Sequence, residues 1–386
     1  MTEKRTGKRT KMDIGIAGAG IMGRLLAWQL LRAGHCVSLF DKDPIESGSA
    51  AAYTAAGMLT PYSELESAQW LIYQLGMQGL QLWPEIVHSL QIEDCLHQRG
   101  SLIVAHQHDL ADLERFNRAL DNKLPPEKRS FKTLNNNALG TLEPELSAQF
   151  SQATYLPEES WLYNQSVLAA LADQLLENNV PWHFGTEVSQ LSPHCITTAG
   201  GKDHPFDWVI DCRGLGAQKE FVTLRGVRGE LIWVEAPDVN ITRMVRLMHP
   251  RYRLYLVPNR DHRYILGATQ IESEDRSPIS VRSALELLSA LYCIHPGFSE
   301  ARIIATKTNC RPALLDNLPT IATRPGLLRV NGLFRHGFLL APVLAQEVVD
   351  FLQTQAIGPS TLGSSTLGSA TFPALFSNLA ALEDIA

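Results

Sequence analysis

Gly18, Gly20 and Gly23 fall in the stretch IAGAGIMG (16–23), between an apolar run and a helical pattern. At that spacing the first glycine permits a tight turn and the second lets backbone approach a pyrophosphate. The third lets the helix pack on the strand while its N-terminus faces the phosphates. Asp41 ends the next strand-like run, CVSLF, where a carboxylate accepts both hydroxyls of a ribose. Ile21 and Met22 inside the turn and Lys42 after the acid complete the expected contacts. Strand, turn, helix and acid come in the order a dinucleotide fold requires, which makes the pattern specific. The carboxylate would repel a 2′-phosphate, so NADP is disfavoured while NAD and FAD stay open. The run SGSAAAYTAAGMLTPYSE (47–64) stands where an NAD enzyme ordinarily turns to another crossover helix. Its small residues give a chain thin enough to lie along an extended cofactor.

The elements that must hold these residues are legible first at the N-terminal side. A strand over 12–17, a turn over 18–23, a helix over 24–32 closed by Gly34 and a strand over 36–40 make a βαβ start. Further on, 71–90 and 110–120 read as helices, 100–105 as a strand, 122–160 as mostly loop and 166–179 as an amphipathic helix. VPWHFGTEVSQL and DWVIDCRGLGA read as two strands of the nucleotide-binding type, and 226–309 carries strand signals with one helix over 280–292. The expected class is α/β: a Rossmann-type domain with a parallel sheet, of the glutathione-reductase-like kind, plus an inserted α+β substrate domain on an antiparallel sheet. The expected boundaries are a basic disordered leader at 1–11 and a discontinuous nucleotide domain at 12–85, 165–225 and 310–353. The substrate domain takes 86–164 and 226–309, and 354–386 forms a linker and tail around the repeat STLGSSTLGS.

Bulk properties narrow the class. At 386 residues the chain suits two connected domains, and 45% apolar with 19% charged residues describes a globular protein. A net charge of −6 argues against nucleic acid as a partner. No apolar run is long enough to span a bilayer, and no apolar segment of a secretory signal follows the basic start. Cys36, Cys95, Cys195, Cys212, Cys293 and Cys310 show neither CxxC nor zinc-like spacing, which fits free thiols, no metal and a reducing, cytoplasmic setting. A P-loop, HExxH and GxSxG are all missing, so phosphoryl transfer, zinc proteolysis and hydrolase chemistry have no starting point.

Several motifs in order resemble one family, the glycine oxidase and thiamine-biosynthesis flavoproteins of the D-amino-acid oxidase superfamily. They are AAGMLTPYSE (55–64), RGVRGELIWVE (225–235), YLVPNRDHRYILGAT (255–269), CRPALLDNLPTI (310–321) and GLFRHGFLLAP (332–342). The resemblance spans roughly 12–353 and implies non-covalent FAD, with Ala55, Ala56, Gly57 and Met58 lining the flavin. It places Val188 against adenine, Gly214 at a strand end, and Arg335, His336, Gly337, Phe338 and Leu339 around a helix start. Backbone amides at such a start stabilise the charge a flavin gains on reduction. The family's carboxylate-binding arginine falls on Arg311 and its assisting tyrosine on Tyr255, and a guanidinium's planar fork suits a carboxylate. Two departures stand out. Arg253 lies near a histidine of some glycine oxidases, and Gln270 replaces a methionine, a pairing suited to a more polar or anionic substrate.

The resemblance therefore implies oxidative deamination of glycine or another small amino acid. Hydride leaves the α-carbon for the flavin, the imine hydrolyses, and O2 becomes peroxide, with iminoacetate for thiazole synthesis as one outlet. Arg311, Tyr255, Gln270 and Arg253 are the expected substrate residues. The alternatives are a sarcosine-oxidase-like oxidase or dehydrogenase of N-methylated or secondary amines, an FAD-carrying subunit acting with a partner, and an NAD dehydrogenase; a homo-oligomer is compatible with each.

Overall fold

The computed structural model describes residues 11–249, 253–357 and 371–378. Strand Asp13–Ala17 pairs in parallel with Cys36–Phe40 on one side and Trp208–Asp211 on the other. Trp182–His183 extends the sheet beyond Cys36–Phe40, and Leu327–Asn331 extends it beyond Trp208–Asp211. These five parallel strands are the nucleotide-binding core, and the antiparallel strand Thr320–Arg324 flanks them. Such a sheet is buried on both faces, which is why Ile14, Ile16, Leu39, Ile210 and Leu328 are all fully buried. Helix Ile21–Arg32 begins three residues earlier than its sequence pattern suggests. Extended Gly20 serves as its N-cap, so the turn passes directly into helix.

Helices Ile21–Arg32, Trp70–Ser89 and Gly337–Ile357 share one apolar core with this sheet. Gly79 allows close contact between the last two, because a Cβ there would lie 2.1 Å from the Leu339 carbonyl oxygen.

The second layer is an eight-stranded sheet ordered Arg302–Ala313, Arg225–Glu235, Arg263–Gly267, Arg253–Pro258, Met244–Met248, Ser101–Ala105, Gln152–Leu156 and Lys132–Asn135. Every pairing is antiparallel except that of Met244–Met248 with Ser101–Ala105, which is parallel. The α+β class expected from sequence holds, with this one parallel junction added. Helix Val281–Ile294, capped by the Ser280 hydroxyl, covers one face.

Three local readings change. The stretch 122–160 holds strands Lys132–Asn135, Gln152–Leu156 and Ser160–Leu162 and helix Asn136–Leu142, all too short to carry a periodic signal. VPWHFGTEVSQL divides: Trp182–His183 joins the parallel sheet, while Val188–Ser192 joins a separate three-stranded antiparallel sheet. Strand Arg302–Ala313 runs unbroken through position 310, where the sequence suggests a domain change. At the chain's end Phe376–Asn378 pairs in parallel with Ile321–Thr323 and becomes the outer strand of the nucleotide sheet. The basic leader up to residue 10 and the STLGS repeat lie outside the described residues. Among the described residues no helix is long and apolar enough to cross a membrane.

Candidate active site

A cavity of about 1260 Å³ is lined by both layers. It exceeds the roughly 300–1,000 Å³ of an ordinary small-molecule pocket and suits a dinucleotide with a second ligand beside it. At one end the glycine turn keeps the wall thin. Gly18 has φ of +99°, and a Cβ there would sit 2.5 Å from the Cys212 carbonyl oxygen. A Cβ on Gly20 would meet only Ala50, at 3.6 Å, so the cavity occupies that space. Gly23 lies behind the wall, where its missing side chain admits the Gly18 carbonyl oxygen. Asp41 accepts the Ala19 N–H and, at 2.9 Å, the Asp43 N–H, tying the second strand to the turn. Burial outweighs these bonds and raises its carboxyl above the usual range. Arg24, which the sequence motif does not single out, is buried and donates to the carbonyls of Ala19 (2.7 Å), Ile45 (2.7 Å) and Leu168 (2.8 Å). It fixes the turn from behind. Ile21, Met22, Lys42, Val188 and Gly214 also line this end.

Midway, Ala55, Ala56, Gly57 and Met58 form the wall. Gly57 has φ of +72° and its Leu162 neighbour leaves no room for a side chain, since a Cβ would lie 2.0 Å from that carbonyl oxygen. Opposite in sequence, the chain turns at Gly332 and Phe334, both at positive φ, into helix Gly337–Ile357. The amides of Gly337, Phe338 and Leu339 have no intrahelical acceptor, and all three residues line the cavity. The Trp83 Nε1–H holds the Phe338 carbonyl at 2.9 Å from behind. His336, 4% exposed, makes a 2.9 Å hydrogen bond through Nε2 to Glu64, while its buried Nδ1 has no partner among the described residues. Free helix amides, an orphaned buried nitrogen and bare glycine walls fit the polar edge, pyrophosphate and length of FAD.

The remaining part of the cavity is a polar chamber. Arg311 Nη1 donates to the Thr269 carbonyl at 3.1 Å, and the side chain forms no ion pair with a carboxylate among the described residues. Gly229 makes room for it, because a Cβ there would lie 2.3 Å from Arg311 Nη2. Burial, reinforced by Arg335, pushes Arg311 down to about 10, so it stays charged at neutral pH. The Tyr255 phenol is pushed up to about 12 by burial and remains a donor. Arg246 lies over the Tyr255 ring, 5.5 Å from its centroid, and is ion-paired to Glu66.

Arg335, grouped by sequence with the flavin contacts, turns its side chain into this chamber. Its Nε and Nη2 donate to Glu64 Oε2 (2.8 and 2.5 Å), Nη2 to Ser67 (3.0 Å) and Nη1 to Gln270 Oε1 (3.0 Å). Gln270 thus spends its carbonyl on Arg335, and an anion would be met by its amide N–H donors. Arg253 opens strand Arg253–Pro258, and its side chain lies outside the described residues. Glu64 and Arg246 are the residues that sequence reasoning missed. Glu64 closes the quoted run AAGMLTPYSE without any spacing to mark it, and Arg246 sits in a strand with no motif.

Comparison with known proteins finds similarity over most of the chain. The family model described as FAD dependent oxidoreductase matches residues 13–351. The thiamine biosynthesis oxidoreductase ThiO of Rhizobium etli is 38% identical over 344 residues, 89% of this chain and 97% of that protein. The glycine oxidase of Geobacillus kaustophilus is 27% identical over 365 residues, 89% and 93% of the two chains. The crystal structure of glycine oxidase from Geobacillus kaustophilus superposes with a TM-score of 0.76 at 26% identity, covering 88% of this chain and 94% of that one.

Proposed function

The chain belongs to the family of FAD-dependent oxidoreductases, and we propose that it oxidises the Cα–N bond of glycine or another small α-amino acid. Arg311 carries this reading: a charged guanidinium faces the cavity that Tyr255 also lines and forms no ion pair with a carboxylate among the described residues. Of the three guanidiniums around Glu64, Arg246 and Arg335 already have carboxylate partners. The chamber therefore receives one carboxylate, which favours a monocarboxylic amino acid over a dicarboxylic one.

Bound FAD supplies the hydride acceptor. The protein's part is alignment: Arg311 fixes the carboxylate and the Tyr255 hydroxyl donates to it. Oxidation leaves an imine that water converts to the 2-oxo acid and ammonia, and O2 takes the electrons as peroxide. Supply of iminoacetate for thiazole synthesis is in line with the name of the ThiO relative. FAD is held without a covalent link. Cys310, next to Arg311, alternates to the other side of the strand, where its Sγ lies 3.7–3.8 Å from the carbonyls of Asp275 and Ser273.

Anaerobic mixing of the yellow holoenzyme with glycine and a panel of small amines tests the proposal. Bleaching by glycine or a small amino acid is expected, followed by peroxide when air is admitted. Bleaching by none of them would sink it, and colour retained on acid-precipitated protein would refute the dissociable cofactor.

A further inference from the structure

A small amino acid brings two charges into the chamber, and Arg311 answers only one of them. The nitrogen needs an acceptor, because an ammonium left unpaired in a confined cavity forfeits its hydration. Glu64 is placed for this. It closes the short helix Pro61–Glu64, is 7% exposed, and lines the cavity together with Tyr255, Gln270 and Arg311. Its two oxygens differ. Oε2 accepts from Arg335 Nε and Nη2 and is bonded to His336 Nε2, whereas Oε1 receives no hydrogen bond from the described residues. A buried carboxylate has about four lone-pair positions, and one oxygen with none of them used is an acceptor awaiting a donor.

We propose that Glu64 Oε1 binds the amino group of the substrate, so that Glu64 and Arg311 together clamp the two ends of an amino acid and leave its α-carbon between them. This assignment rests on the amino-acid reading given above. Arg335 and His336 serve as positioning residues in it. Burial alone would push the Glu64 proton on, but the Arg335 charge, with the hydrogen bonds from Arg335 and His336, prevails and holds its carboxyl well below the usual range. Glu64 is thus kept ionised, with one oxygen engaged by the protein. Glu64 and Arg311 both line the cavity, and the Glu64 charge acts on the Arg311 guanidinium. Glu66, which also lines the cavity, is paired with Arg246.

Binding is best read with the flavin already reduced by dithionite, so that no turnover follows, using calorimetry on the holoenzyme. Glycine is compared with propionate, which replaces the ammonium by a methyl group and keeps the carboxylate. In Glu64→Gln, glycine affinity should fall about 10- to 100-fold, the effect of losing one hydrogen bond to a charged group, while propionate binds as well as or better than before. An equal loss for both ligands, or no loss for either, overturns the assignment. If Glu64→Gln does not retain flavin, Glu64→Asp keeps the charge but withdraws it by one methylene. It should weaken glycine selectively by a smaller factor, and an unchanged glycine-to-propionate ratio would again overturn the proposal. Failure of the wild-type protein to bleach with any amino acid counts instead against oxidation itself, because the binding ratio is measured without it.

Discussion

Replacing Arg311 by alanine removes the group on which substrate recognition depends. Nη1 is anchored to the Thr269 carbonyl at 3.1 Å, and the rest of the fork stands free in the space left by Gly229. A bidentate carboxylate contact comprises two charge-assisted hydrogen bonds of about 1.5–3 kcal/mol each. Part of that gain offsets the cost of having buried the cation, so the low end, ~3–4 kcal/mol, is the better figure. It corresponds to a loss of about 10²–10³ in the second-order rate of flavin reduction by glycine. Arg311→Lys keeps a point charge without the fork and should lose about tenfold. Stopped-flow reduction under anaerobic conditions measures both, with methylamine as the control substrate because it has no carboxylate. Its slower reduction should be nearly indifferent to the substitution. The unfolding midpoint of the apoprotein should not fall, since an unpaired buried cation destabilises the fold. Unchanged reduction by glycine, or equal losses for glycine and methylamine, would refute the assignment.

Two further outcomes test the frame around the site. Glu159 is pushed up to about 7 by burial, with the charge of Glu64 adding to the effect, and it accepts from Ser63 N–H (2.6 Å), the Ser63 hydroxyl (2.8 Å) and the Ser101 hydroxyl. Its folded pKa lies above its ordinary value of 4.5, so its contribution to stability is fully present below about pH 4.5 and is lost as pH rises through about 7. Glu159→Gln should therefore raise stability at pH 8 by up to ~3 kcal/mol and change little near pH 5, as read by denaturant unfolding at both values. Leu375, fully buried beside the outer strand Phe376–Asn378, anchors the C-terminal segment. Leu375→Ser should release that segment and create a new cleavage site there in limited proteolysis, with the flavin absorbance unaltered; loss of flavin would show that the strand supports the site.

The nucleotide half of the site was readable because its chemistry is local. A turn that needs a glycine at positive φ, as at Gly18, and a carboxylate one strand later, Asp41, are fixed by neighbours in sequence and recur at fixed offsets. Gly57 is a partial case: its type reveals a tight backbone, but the Leu162 carbonyl that requires it lies more than a hundred residues away. The motifs around Tyr255, Arg311 and 335–339 were legible as a resemblance, with no physical signal in the residues to say which side chains meet. Arg335 shows the limit. Its neighbours are flavin-edge residues, yet its guanidinium belongs to the chamber because Glu64 and Gln270 approach it from two other parts of the chain.

By itself, the sequence determined a βαβ nucleotide fold, the α/β class and the residues of the glycine turn, since backbone conformation and hydrophobic period are properties of short stretches. It also left the C-terminal segment without a seat. Only the tertiary structure decided that this segment extends the nucleotide sheet, that Arg246 and Arg335 are ion-paired, and that Arg311 has no ion pair among the described residues. Those are matters of charge pairing between residues 180 to 271 positions apart for the two pairs. Coulomb interactions and burial depend on distance in space, which no spacing along the chain encodes.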